Sequence, residues 1–161
     1  MNDVLSIILI GIGATLIADG WGLIRKPLLG LPAPDFTMVG RWIGHMAHGT
    51  FRHDRIAAAS PIEAERVIGW SAHYIIGVAF AAGLIWIVGS EWLRSPTLAP
   101  ALAFGIATVA APFFLMQPGM GAGIAASRTP NPNSARLQSL LTHAVFGFGL
   151  WAAAWAVRSS A

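Results

Sequence analysis

Two stretches of the sequence set an ionisable side chain beside open space: His73-Tyr74-Ile75-Ile76-Gly77 and His143-Ala144-Val145-Phe146-Gly147, each reading H-x-x-x-G inside a long apolar run. Residues four apart share a helix face, so each pattern places an imidazole one turn from a patch of backbone without a side chain. An imidazole can carry a proton, accept a hydrogen bond or ligate a metal. Asp19 and Gln117 lie in two further apolar runs, with Thr15 one turn before Asp19 and Thr142 beside His143. Ionisable groups inside apolar spans mark sites by default.

Three readings of these residues stand side by side. In one, Asp19, His73, Gln117 and His143, with Thr15 and Thr142, bind a small ligand or ion, an acid and a histidine relaying protons. In another, His73 and His143 are the axial ligands of a b-type haem or hold another transition metal, Gly77 and Gly147 making room for the macrocycle. In the third they are only interhelical joins, worth about 0.6 kcal/mol each on average. An aspartate in a span costs roughly 2.5 to 3.5 kcal/mol on insertion scales, more than a simple join requires. His45, His48 and His53 form a second group of potential metal ligands, although H-x-x-H without a further placed ligand is a poor signature. No nucleophile accompanies a placed base, and Gly119-Met120-Gly121-Ala122-Gly123 follows no strand and lacks the phosphate-loop lysine, so the sequence leans away from an enzyme.

The elements that must position these groups are membrane spans. Only 11% of the 161 residues are charged and 55% are hydrophobic, against roughly 25% charged in a soluble domain. Apolar runs at 4–24, 68–88, 98–116 and 137–157 are each close to the 20 or so residues that cross a bilayer. A single transmembrane domain over 1–161 is expected: an all-α integral membrane protein, a four-transmembrane-helix bundle. Small residues in the first span suit close packing in lipid and permit a homo-oligomer. The start Met1-Asn2-Asp3 lacks the basic n-region of a signal peptide, so the first run reads as a retained span. Arg25, Lys26 and Pro27 are expected to end it, and Pro112 to kink the third.

The connection 25–66 is the long one. Pro32 and Pro34 hold its first part extended or turned, and Met38, Val39, Trp42, Ile43 and Met46 then recur on one helical face, with Arg41, His45 and His48 on others. This predicts an amphipathic helix in the cytoplasmic interface. Ser60-Pro61-Ile62-Glu63 has the form of a capping box that opens the second span's helix.

Basic residues orient the chain. Arg25, Lys26, Arg41, Arg52, Arg55, Arg66, Arg128 and Arg136 fall in the first and third connections, and Arg94 and Arg158 on the other side. Both connections therefore belong in the cytoplasm and both termini outside it. All four polar span residues then lie at one depth. The lipid bilayer and a small ligand or ion are the partners implied. Nucleic acid is not, because the net charge of +3 is spread over loops between apolar runs. With no cysteine, thiolate metal sites are excluded. The two H-x-x-x-G stretches, 143 − 73 = 70 residues apart, and the echo of Gly11-Ile12 and Ala14-Thr15 in Gly105-Ile106 and Ala107-Thr108 suggest a two-fold internal repeat of helix hairpins.

Four runs in order, Val39 to His45, Gly69 to Tyr74, Met116 to Gly121 and Ser139 to His143, resemble the bacterial membrane-protein family of unknown function numbered 2938 (DUF2938). The resemblance covers nearly the whole chain. It implies a multi-pass protein of the bacterial inner membrane with about four spans, and no activity, substrate or cofactor.

Overall fold

The computed structural model describes residues 2–30 and 35–159. Among these every element is helical: α1 (Asp3–Leu29), α2 (Thr37–Met46), α3 (Glu65–Val88), α4 (Glu91–Arg94), α5 (Leu98–Ala107), α6 (Gln117–Gly119) and α7 (Pro132–Ser159). A π-helical stretch, Pro112–Met116, leads into α6, so the third apolar run continues as one span-length segment, Leu98–Gly119. Four helices are thus long and apolar enough to cross a membrane: those at 3–28, 65–88, 98–119 and 132–159.

Local chemistry explains most of the boundaries. Asn2 caps α1, its side-chain oxygen accepting from the Leu5 N–H at 2.8 Å. Pro27 does not end α1. Proline in a last turn removes one hydrogen bond and leaves the rest of the helix intact, and α1 ends instead where Gly30 turns left-handed at φ 67°. The stretch expected to be extended or turned at Pro32 and Pro34 lies outside the described residues. At the start of α2 the Asp35 carboxylate accepts from the Thr37 N–H at 2.9 Å, and the Thr37 hydroxyl and N–H hold that carboxyl below its ordinary range.

The second span's helix opens at Glu65, not at Ser60. Ala64 is left-handed at φ 57°, which blocks an earlier start, and Glu65 reaches back to accept from the Ile62 N–H at 3.2 Å. Pro112 does distort the third span: the α-helix gives way to turn at Thr108 and Val109, and the Gln117 N–H bonds to the Pro112 carbonyl five residues back. The missing proline N–H is absorbed by the wider turn.

The chain divides into two compact units. The first comprises Met1–Pro34, Tyr74–Thr108 and Leu140–Ala161, and its core is built from Ile10, Ala14, Leu84, Ala101, Phe146 and Leu150 among others. The second comprises Asp35–His73 and Val109–Ser139, with Trp42, Ile56 and Ala126 buried.

Candidate functional site

In the first unit, glycines bring α1 and α3 into backbone contact. A Cβ on Gly11 would lie 2.9 Å from the Gly77 carbonyl oxygen, and one on Gly77 would overlap the Thr15 hydroxyl. Thr15, 1% exposed, donates to the Gly11 carbonyl at 2.7 Å, so its hydroxyl is satisfied within its own helix. One turn further along α1 stands Asp19, and three residues before Gly77 on α3 stands Tyr74. At the separation the glycines set, the Tyr74 hydroxyl donates to Asp19 Oδ2 at 2.9 Å. Both residues are half-buried.

The crossing of α5 and α7 has the same plan. A Cβ on Gly105 would lie 2.6 Å from the Gly147 nitrogen and 2.9 Å from the His143 carbonyl oxygen. Thr108 donates its hydroxyl proton to the Gly105 carbonyl at 2.5 Å and meets His143 Nδ1 at 2.8 Å. A hydroxyl has one proton, and here Gly105 takes it. With that proton on the Gly105 carbonyl, the consistent tautomer has Nδ1 donating to Thr108 and, in a neutral His143, the lone pair on Nε2. Such an imidazole is set up as an acceptor, a base or a metal ligand through Nε2.

The second unit holds the remaining candidates. The His73 ring stacks on Phe36 at 3.8 Å between centroids and meets Trp70 edge-on at 5.9 Å. Gln117 is at the start of α6, its Oε1 buried without a hydrogen-bond partner. His45 Nε2 lies 2.9 Å from the Ser60 carbonyl oxygen and His48 Nδ1 3.0 Å from that of Gly44. The His53 ring, both nitrogens buried and unpartnered, meets the His45 ring edge-on at 4.9 Å. Among the described residues no group of three or more His, Asp or Glu side chains is arranged to hold a metal ion.

The glycine-rich run after α6 is filled by protein. Gly119 lies under the Trp42 indole and Gly121, at φ 93°, under the Asp54 backbone. The Gly119 and Met120 carbonyls accept from the His53 and Ile56 N–H groups at 2.8 and 3.1 Å. Part of the 25–66 connection is therefore docked beside Gln117. Arg41, expected on a polar face of α2, is as buried as Trp42, at 8% and 7% exposed. Its guanidinium donates twice to Glu65, at 2.8 Å each, and to the Ala59 carbonyl at 3.1 Å. This bidentate pairing pushes the Arg41 pKa above its already high ordinary value.

Of the predicted constellation, Asp19 and His143 lie in the first unit, each bridged to another helix, and His73 and Gln117 lie in the second. Thr15 is packed at the Gly77 crossing, while Thr142 makes no side-chain hydrogen bond among the described residues. Three partners escaped the sequence reading: Tyr74, Thr108 and Glu65. Tyr74 carried a signal, being the chain's single tyrosine, inside a span and next to His73.

No curated protein and no solved structure matches the chain. A family model does match, over residues 8–157, which takes in most or all of each of the four long helices and every candidate residue above. The chain belongs to DUF2938, the family described as a protein of unknown function.

Proposed function

We propose that the protein is an integral membrane protein of four spans that binds or moves a small ligand or ion, with Asp19 as the residue that defines the site. The observation that carries this reading is the hydrogen bond from Tyr74 to Asp19, 2.9 Å long, between two helices long and apolar enough to span. A carboxylate there is costly to insert. Serine or asparagine would join the same helices at less cost, so an acid held in place by a phenol is read as a cation or proton site.

Insertion is supported by the outward faces of the helices. Only 22 to 33% of each span's most apolar window is buried within the protein, and Leu16, Ile75, Phe114 and Leu115 point outward at half exposure or more. Apolar exposure along span-length helices supports contact with a bilayer. The excess of basic residues in the first and third connections supports a topology with both in the cytoplasm, α2 at that interface and both termini periplasmic in a bacterial inner membrane. The matching glycine crossings, Gly11 with Gly77 and Gly105 with Gly147, support an internal repeat of helix hairpins.

The test uses proteoliposomes loaded with a pH-sensitive dye, with proton, sodium, potassium and ammonium gradients imposed in turn. One of these gradients should collapse faster than in empty liposomes, and Asp19→Asn should slow that collapse to the empty-liposome rate. If no gradient responds to the protein and Asp19→Asn leaves ion-induced thermal shifts unchanged, Asp19 is only a helix join.

A haem or metal reading is favoured by one observation, the 2.8 Å contact of His143 Nδ1 with the Thr108 hydroxyl, which in the Nδ1-protonated tautomer leaves Nε2 as the ligating nitrogen. Purified protein that shows no Soret band and takes up no added haem or transition metal would exclude it.

A further inference from the structure

At the end of the first unit that carries Asp3 and Arg158 there is a cavity of about 380 Å³, within the size range of small-molecule sites. Its chemistry is graded. The apolar part of the lining includes Ile10 and Ala154, which are 1% and 2% exposed. The polar part consists of Arg94, Arg158, Asp3 and Ser6. These groups come from three parts of the chain: α1, α4 and the last turn of α7.

The polar groups of the lining differ in their present partners. The Arg158 guanidinium carbon lies 4.6 Å from the Trp155 ring centre, a cation–π contact that restrains the side chain. It has no carboxylate partner within ion-pair distance among the described residues. Arg94 pairs with Glu91, but both side chains are more than 70% exposed and the pair is screened by water. Its remaining donors can serve a second anion. Ser6 donates its proton to the Asn2 carbonyl at 3.1 Å, leaving oxygen lone pairs that can accept. Asp3, in the first turn of α1, is the negative charge of the lining.

Two guanidiniums, a carboxylate and an accepting hydroxyl sharing one cavity with apolar side chains match an amphiphile whose head group carries both a phosphate and a primary ammonium. We infer that this cavity is a binding site for a phosphoethanolamine head group, the phosphate on Arg94 and Arg158, the ammonium on Asp3 and Ser6, and the acyl side toward Ile10 and Ala154. A phosphatidylglycerol head would bring Asp3 no ammonium and leave it only the attraction of Arg94. A phosphatidylcholine head would offer Asp3 no N–H donor. The site rests on the reading that the long helices lie in a bilayer, and it is separate from Asp19 and His143.

The experiment reconstitutes the full chain in liposomes of equal parts phosphatidylethanolamine, phosphatidylglycerol and phosphatidylcholine, extracts it in mild detergent and measures the retained lipids by mass spectrometry. Resistance of the protein to alkaline extraction is read in parallel, so failure to insert is separated from failure to select lipid. Phosphatidylethanolamine should be enriched about tenfold over the bulk ratio, the equivalent of one charge-assisted hydrogen bond. Arg94→Gln with Arg158→Gln should abolish the enrichment, and Asp3→Asn should equalise phosphatidylethanolamine and phosphatidylglycerol. Thermal unfolding of each variant checks that the fold survives. Free phosphoethanolamine at millimolar concentration should compete only weakly, because it lacks the acyl portion. Retention at the bulk ratio, a preference for phosphatidylglycerol, or enrichment unchanged in the arginine variant would overturn the assignment. So would thermal stabilisation by free phosphoethanolamine without any lipid preference.

Discussion

Gly105 offers the sharpest test of how the first unit is held together. A methyl group there would meet the Gly147 nitrogen at 2.6 Å and the His143 carbonyl oxygen at 2.9 Å, and ordinary contact begins near 3.4 Å. The shortfall is at least 3.4 − 2.6 = 0.8 Å, and it is against backbone, which has no rotamer with which to move aside. Helices α5 and α7 must separate. A gap of 0.5 to 1 Å already forfeits roughly a quarter to a half of each contact energy, and the Thr108–His143 hydrogen bond spans the same crossing. Overpacking costs about 3 kcal/mol at the upper end of its usual range, while replacing a helical glycine by alanine recovers about 1 kcal/mol. Gly105→Ala should therefore lose about 2 kcal/mol, or up to thirtyfold in the folded ratio. The assay is reversible unfolding in mixed detergent micelles followed by circular dichroism, with nitrogen chemical shifts of His143 reporting release of Nδ1. Gly20→Ala is the control: nothing lies within 4 Å of its added methyl, so it should be neutral or stabilising. A Gly105→Ala protein as stable as the wild type, with His143 unperturbed, would refute the close crossing and the assignment of His143 that depends on it.

Three further outcomes are expected. A double-mutant cycle of Tyr74→Phe and Asp19→Ala should give a coupling of about 0.6 kcal/mol, up to about 1.7, the range for interhelical hydrogen bonds in lipid; zero coupling would mean that the 2.9 Å contact holds nothing. Arg41→Ala or Glu65→Ala should lower the unfolding midpoint clearly, because each strands a partly buried charge, whereas Arg41→Met with Glu65→Leu should regain most of the loss; singles that match the wild type in thermal unfolding would count against the pair. Because the chain has no cysteine, Arg52→Cys and Ser95→Cys can be labelled singly. In intact cells a membrane-impermeant maleimide should reach Cys at position 95 and not at 52, and the reverse result would invert the proposed topology.

The long helices were legible from the sequence because apolar length is a property of each run alone. Their ends were less so. Pro27 was expected to stop α1, yet a proline in the last turn removes too little to do so, and Gly30 supplies the stop. Ser60 and Glu63 carried a capping pattern, but Glu65 was captured by Arg41 and opened α3 instead. Amphipathic periodicity put Arg41 with the polar side of α2; it is buried because a partner waits on another helix, and periodicity within one helix is blind to partners elsewhere. The candidate residues divide in the same way. Asp19 and His143 could be singled out as ionisable groups in apolar runs, but Tyr74 and Thr108 matter through backbone approaches at Gly77 and Gly105 that only the fold creates.

The wide turn at Pro112–Met116 has a consequence for how the third span reads to any mutational scan. A five-residue hydrogen bond acts as a single inserted residue in an otherwise regular helix, so the angular phase advances by about 100°, one residue's share of a 3.6-residue turn. A helical wheel drawn through the whole span assigns false faces to everything after Pro112. Tolerance to polar substitution should follow one 3.6-residue wave from Leu98 to Ala107 and depart from its extrapolation by about one residue at Gln117–Gly119. Phe114 and Leu115, adjacent and both 65% exposed, lie within that phase slip.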